Sequence, residues 1–120
     1  MKLVIEQHQP MAIVKMHGPS LEARNTKEFR RALDPILAKF DVILLDMEEV
    51  TFVDSSGLGS LLSSLRTLTE RGGELKLCSL QPPVRTLFEL VRMHRMFDIY
   101  NNRDESLQAQ TVPQVAAQSA

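Results

Sequence analysis

The chain has 120 residues, 43% of them hydrophobic and 24% charged, which suits a single globular domain with a charged surface. Its 14 Lys and Arg nearly cancel 15 Asp and Glu, and it has no Trp and one Tyr. That balance argues against direct nucleic-acid binding, which usually needs a basic surplus and aromatic stacking platforms. The single cysteine, Cys78, excludes an intramolecular disulfide or a cysteine-built zinc site.

Leu3 to Glu6 and Met11 to Met16 read as two short strands, and the QHQP between them as a hairpin turn, because Pro10 punctuates a strand. The opening MKLVIEQHQP has only three consecutive apolar residues, too few for a signal peptide. No apolar run approaches the roughly 18 residues that cross a bilayer. The expectation is a cytoplasmic protein with no membrane insertion. Gly18-Pro19-Ser20 reads as a loop. A helix follows, because Phe29, Leu33, Ile36, Leu37 and Phe40 recur along one helical face. Pro35 lies inside that pattern without an N–H, so a kink, or a break near Asp34, is expected.

From Asp41, DVILLDM is continuously apolar rather than alternating, the pattern of a strand covered on both faces. After residues 54–59, DSSGLG, a second helix carries a stripe of Leu58, Leu61, Leu62, Leu65 and Leu68. Ser60, Ser63, Ser64 and Thr67 should occupy its exposed side, and Gly72-Gly73 should stop it. Glu74 to Cys78 is a strand in which Cys78 packs as a buried residue. Pro82-Pro83 opens a third helix that aligns Val84, Leu87, Phe88 and Val91. FDIY forms a last short strand and Arg103 to Gln110 a short helix, and the small, polar residues 111–120 form a flexible tail. The order implies one α/β domain over residues 1–110: an N-terminal β-hairpin followed by βα units, with a mixed central sheet backed mainly on one side by helices.

The junction DSSGLG carries an acid, two hydroxyls and two glycines between a buried strand and an amphipathic helix. A serine-hydrolase elbow needs G-x-S-x-G, but Val53 and Asp54 stand two residues before Ser55 and Ser56. His8, His17 and His94 read as isolated surface histidines rather than a catalytic base. A P-loop needs Lys-Ser/Thr after the second glycine, and a dinucleotide fingerprint needs glycine where Leu62 stands. Asp46, Glu48, Glu49 and Asp54 are close in sequence but read as a solvated acidic patch, so no metal or other cofactor is expected. Strand-end Asp46 is similar to the phospho-accepting Asp of receiver domains. That chemistry needs an acidic pair after the first strand and a late lysine, whereas Glu6 is single and Lys76 is too early.

Ser55 or Ser56 could cap the following helix, worth roughly 1 kcal/mol. A cap alone leaves Asp54 and the glycines unexplained, since Gly57 and Gly59 each lower helix propensity by about 1 kcal/mol relative to Ala. A bare backbone that a partner can approach closely would account for both glycines.

The segment FVDSSGLGSLL resembles the signature of anti-sigma-factor antagonists, the bacterial STAS domains. VILLDMEEVTFVDSSGLG is similar to the family's strand, turn, short strand and phosphorylation loop. RGGELKLCSLQPPVRTLFEL is similar to its next strand and helix, and MFDIYNNRDESL to its closing segment, so the likeness covers residues 3–108. It implies a non-catalytic phosphoprotein that works by partner switching. The unphosphorylated form binds an anti-sigma factor that is also an ATP-dependent serine kinase, and a sigma factor is released. Phosphorylation abolishes that binding, and a PP2C-type phosphatase restores it.

The family's acceptor is the hydroxyl residue directly before the first glycine of the motif, which here is Ser56. Ser55 then caps or positions, and Asp54 fixes the loop. The implied partner-binding surface is Glu22, Asp54, Ser55, Ser56, Gly57, Leu58, Gly59, Ser60 and Ser63. The chain departs from the family's Gly-acid-Leu-Asp pattern in GPSLEARN, where Pro19-Ser20 replaces the first acid and Glu22 falls one residue late. Two alternatives remain: a non-switching STAS scaffold or subunit in a transporter or signalling assembly, and a receiver-like phosphoprotein using Asp46.

Overall fold

In the computed structural model, which describes residues 1–8 and 10–111, strands β1 (Lys2–His8) and β2 (Met11–His17) form the antiparallel hairpin. A two-residue strand β3 (Ser20–Leu21) leads to helix α1 (Thr26–Lys39). Strand β4 (Val42–Asp46), two-residue strand β5 (Phe52–Val53) and helix α2 (Ser55–Thr69) follow. Then come strand β6 (Glu74–Cys78), helix α3 (Pro82–Leu90), a 3-10 turn over Met93–Arg95, strand β7 (Asp98–Tyr100) and helix α4 (Arg103–Thr111). Apart from Thr111, the tail expected over 111–120 lies outside the described residues.

The main sheet has the order β1-β2-β4-β6-β7, antiparallel only at the β1–β2 pair. The two faces of the sheet are covered differently. Ala12, Val14, Met16, Ile43, Leu45, Leu75 and Leu77 join the main core with the buried residues of α1, α2 and α3. On the reverse face Met11, Ile13, Leu44 and Cys78 pack with Val42, Tyr100 and Leu107, the last from α4. This double cover explains why β4 reads as an unbroken apolar run. Burial also pushes the Cys78 thiol up to about 11, which makes it a packing residue rather than a nucleophile.

Three expectations need correction. Of the two outcomes expected at Pro35, the break near Asp34 is not found: α1 is continuous over Thr26–Lys39, with Phe29, Leu33, Ile36 and Leu37 all buried on its inner face. That anchorage on both sides of Pro35 outweighs the lost backbone hydrogen bond. On α2 the buried face is Gly57, Ser60, Leu61, Ser64 and Leu68, while Leu58, Leu62 and Leu65 are only half-buried. Ser60 and Ser64 are therefore interior, their hydroxyls donating to the Gly57 and Ser60 carbonyls at 2.8 and 2.9 Å. Ser63 is half-buried, and Thr67 alone of that set is exposed. Finally, Val91 lies past the end of α3 and is exposed, because Arg92 turns the chain with φ +62°.

The short pair β3–β5 lies outside the main sheet and runs parallel, Ser20 beside Phe52 and Leu21 beside Val53. The Pro19 carbonyl accepts from the Thr51 and Phe52 amides, and the Leu21 carbonyl from Asp54. These bonds bring the 18–25 loop against the start of α2. Ser20, expected in a loop, is thus a buried strand residue.

Candidate functional site

Asp54 organises this junction. It is the extended N-cap of α2, and its Oδ1 accepts from the Gly57 amide at 2.8 Å. Its Oδ2 accepts from the Ala23 amide at 3.0 Å, so one carboxylate joins the α2 terminus to the 18–25 loop. The cap is therefore Asp54, and neither Ser55 nor Ser56 holds it. A carboxylate caps better placed than a hydroxyl here, because its two oxygens serve two chain segments at once.

The Gly57 amide, followed by the Ala23 amide, holds the Asp54 carboxyl below its ordinary value of 3.8. A carboxyl depressed in the fold contributes stability above its unfolded value, and that contribution is lost as pH falls through the lower folded value. Asp54→Ala is accordingly expected to lower Tm at pH 7, with the gap to wild type narrowing below pH ~3.8. Thermal unfolding of both proteins from pH 7 to pH 2.5 checks this; a gap independent of pH would count against it.

Ser55 and Ser56 occupy the first two positions of α2, and both are exposed. Farther along, Ser60, Ser64, Thr67 and Thr69 each turn a hydroxyl back onto a carbonyl of their own helix. Ser55 and Ser56 have no preceding helical turn on which to do so. A hydroxyl at this point faces outward beside the positive end of the helix dipole.

The two glycines differ. A Cβ on Gly57 would lie 2.2 Å from the Leu21 carbonyl oxygen and 2.9 Å from Val53 Cγ1. Gly57 is buried, so its lack of a side chain serves the seating of α2 on β3–β5, and the approachable backbone expected there is not found. Gly59 is exposed with nothing within 4 Å of an added Cβ, and it alone offers open backbone.

Glu22 sits in the same neighbourhood. The 20–25 loop is tied to itself, the Glu22 amide donating to Asn25 Oδ1 at 2.8 Å and Asn25 Nδ2 to the Ser20 carbonyl at 2.8 Å. The Glu22 carboxylate pairs with Arg24 Nε at 3.2 Å. The Ser20 hydroxyl first, then Arg24, lowers its pKa, while the charge of Asp54 opposes them. Glu22, Asp54, Ser55, Ser56, Leu58 and Gly59 thus crowd around one end of α2, whereas Gly57 and Ser60 are beneath the surface. Ser63 lies two turns along, half-buried.

Sequence reasoning overlooked two features. Phe52, two residues before Asp54, is 53% exposed on β5 and enlarges this surface with an aromatic ring. Lys27, Arg30 and Arg31 of α1 share a crevice with Ser56. Their spacing of three and four residues along α1 was visible as one helical face, but nothing local showed that α1 would lie beside α2.

Asp46, His8 and His17 are engaged elsewhere. Asp46 is buried, with Oδ2 accepting from Arg103 Nε at 2.7 Å and Oδ1 from the Glu48 amide at 3.1 Å. Together with the opening hairpin, this occupied carboxylate removes the receiver-like reading. His8 bonds Glu6 at 2.8 Å and His17 bonds Glu49 at 3.0 Å, each at a strand end. No helix among the described residues is long and apolar enough to cross a membrane.

Comparison with known proteins agrees with this architecture. The family model of the STAS domain matches residues 2–106. An anti-sigma F factor antagonist of Paenibacillus polymyxa is 28% identical over 109 residues, spanning 89% of this chain and 92% of the relative. An anti-sigma-B factor antagonist of Listeria monocytogenes is 29% identical over 86 residues, 71% of this chain and 75% of the relative. Among solved structures, an anti-sigma-factor antagonist (STAS) domain protein of Planctomyces limnophilus superposes with TM-score 0.83 at 17% identity, covering 91% and 97% of the two chains. The Bacillus cell fate determinant SpoIIAA in its phosphorylated form gives TM-score 0.68 at 19% identity, covering 89% and 97%. A sulfate transporter family protein of Wolinella succinogenes gives 0.75 at 18% identity, covering 88% of each chain. With the family model spanning nearly the whole chain and the fold matching throughout, this protein belongs to the STAS-domain family.

Proposed function

We propose that the chain is an anti-sigma-factor antagonist that works by partner switching, with Ser56 as the switch. The observation that carries this reading is the outward Ser56 hydroxyl at the start of α2, held in place by the two-sided Asp54 cap. Unphosphorylated, the surface around Glu22, Asp54, Ser55, Leu58 and Gly59 docks an anti-sigma factor. That factor is also a serine kinase: Ser56 Oγ takes the γ-phosphoryl group of ATP, ADP leaves, and the hydroxyl proton passes to the kinase. A PP2C-type phosphatase hydrolyses the ester and resets the switch. The chain itself is a substrate and ligand rather than an enzyme.

Phosphate adds about −1.5 to −2 charges and three acceptor oxygens. At a helix N-terminus the fold tolerates that charge, so what phosphorylation weakens is the interface rather than the fold. Relatives named as antagonists of anti-sigma factors, and a neighbour solved in a phosphorylated form, support the reading.

Incubation with ATP and an anti-sigma-factor kinase, followed by peptide mass spectrometry, is expected to place one phosphate on Ser56. Binding measured before and after should weaken by about 100-fold or more, equivalent to roughly 2.7 kcal/mol. Ser56→Ala should bind and resist modification, and Ser56→Asp should bind weakly. Phosphate that leaves binding unchanged would overturn the switch, and a protein never modified at Ser56 would favour the non-switching scaffold or subunit instead, a reading that the sulfate transporter family neighbour of the same fold supports.

A further inference from the structure

Helix α1 presents three cations, Lys27, Arg30 and Arg31, to a crevice of about 420 Å³ between α1 and α2. The opposite wall is the first two turns of α2, with Ser56, Gly59 and Ser60. The crevice therefore joins the exposed hydroxyl to a positively charged wall supplied by a different helix. Asp34 Oδ1 lies 3.9 Å from Arg30 Nε, beyond hydrogen-bond range. Arg30 Nε itself is buried and has no hydrogen-bond partner, although the side chain as a whole is 37% exposed. A buried guanidinium N–H without an acceptor is costly, and because Arg30 also lines the crevice, turning this side chain toward an anion there would remove that cost.

Two other anionic groups stand at this end of α2: Glu22, which is paired with Arg24 at 3.2 Å, and Asp54, whose two oxygens already accept from the Gly57 and Ala23 amides. Asp54 fixes the helix end without filling the crevice. The dipole of α2 points its positive end toward the same space. Gly59 keeps the rim bare, since nothing lies within 4 Å of where its Cβ would be.

We propose that the α1–α2 crevice is an intramolecular receptor for the phosphoryl group on Ser56, which folds onto Lys27, Arg30 and Arg31 and supplies Arg30 Nε with its missing acceptor. This inference rests on the assignment of Ser56 as the phosphorylated residue. Its consequence differs from simple repulsion at the docking face. A bound dianion neutralises much of the positive wall that the unmodified protein displays, so phosphorylation withdraws a cationic contact as well as adding an anion. The guanidinium groups are suited to this, because each can donate two parallel hydrogen bonds to phosphate oxygens.

The test uses the full chain with phosphoserine encoded at position 56 during synthesis, so that it does not depend on any kinase. Phosphorus NMR then follows the ionisation of the phosphoserine between pH 4 and pH 8. In the otherwise wild-type chain it is expected to titrate about one pH unit below the ~6 of a free phosphomonoester. In the triple variant Lys27→Gln, Arg30→Gln, Arg31→Gln, most of that displacement should disappear. Phosphorylation should also raise Tm in the wild-type background and fail to do so in the triple variant.

If the triple variant does not fold, Lys27→Gln, at an exposed position, carries the same comparison with a smaller expected displacement. Identical titration of the phosphoserine with and without the cations would overturn the receptor. Failure of a kinase to modify Ser56 would instead sink the switch reading and leave this measurement unaffected.

Discussion

Gly57→Ala is expected to destabilise the fold by about 3 kcal/mol or more, lowering Tm by roughly 12 °C in a chain of this size. The added methyl would lie 2.2 Å from the Leu21 carbonyl oxygen, which is backbone held in the β3–β5 pair and cannot swing aside. Val53 Cγ1, at 2.9 Å, closes the other side. Relief requires α2 to lift from the short pair, which would weaken the Asp54 bonds to Gly57 and Ala23 together. Gly59→Ala, two residues along, is the internal control. With open space at its Cβ it should be neutral, or stabilising by up to about 1 kcal/mol through helix propensity. Urea or thermal unfolding of the two variants decides the matter, and equal stabilities would show that Gly57 does not seat the helix.

Arg103→Met is expected to cost about 2–3 kcal/mol. Asp46 has only 5% of its side chain exposed, and removing Arg103 leaves its Oδ2 with Lys15 at 4.0 Å as the remaining cation. Breaking a buried ion pair costs about 3–5 kcal/mol, reduced here because Arg103 is 31% exposed and partly screened. Arg103 also reaches Glu6 at 3.4 Å, so one guanidinium at the start of α4 ties that helix to β4 and to edge strand β1. Replacing both members, Asp46→Leu with Arg103→Met, should recover much of the loss, since no buried charge is then stranded. A double-mutant cycle by urea unfolding measures the coupling, and strictly additive losses would refute the pair. Amide exchange in α4 should quicken in Arg103→Met before it does in α1 or α2.

The elements that could be read directly were those whose signal is local and repeated. Strand β6 matches the expected Glu74 to Cys78, and α3 begins at the expected Pro82. The hairpin strands run one or two residues longer than their apolar cores, because an edge strand needs backbone pairing more than burial: β1 is mostly exposed, yet pairs along its whole length. Strands β3 and β5 are too short for any periodicity, and their existence depends on each other. Pro35 shows the converse failure. Its local rule predicts a kink or a break, and the break is absent because buried residues on either side hold the helix together.

At the site, the residue types and spacing of DSSGLG were enough to set aside hydrolase and nucleotide-cradling chemistry and to single out Ser56 through a family likeness. Tertiary structure redistributed the roles. Which oxygen caps α2 depended on where Ala23 lay, 31 residues earlier, and that made Asp54 the cap. Which glycine was packed and which was open depended on the position of the Leu21 carbonyl, so two residues of identical type diverged. The serines of α2 split in the same way: Ser60 and Ser64 share the buried face with Gly57, Leu61 and Leu68, a line rotated away from the half-buried Leu58, Leu62 and Leu65.

Composition, hydrophobic period and turn residues therefore determined the class of fold, the order of all elements except β3 and β5, and the hydroxyl-bearing junction, because each is set by interactions within a few residues. The cap, the required glycine and the cationic wall beside Ser56 were decided only in three dimensions, since each needs atoms from a segment 25 to 36 residues earlier in the chain.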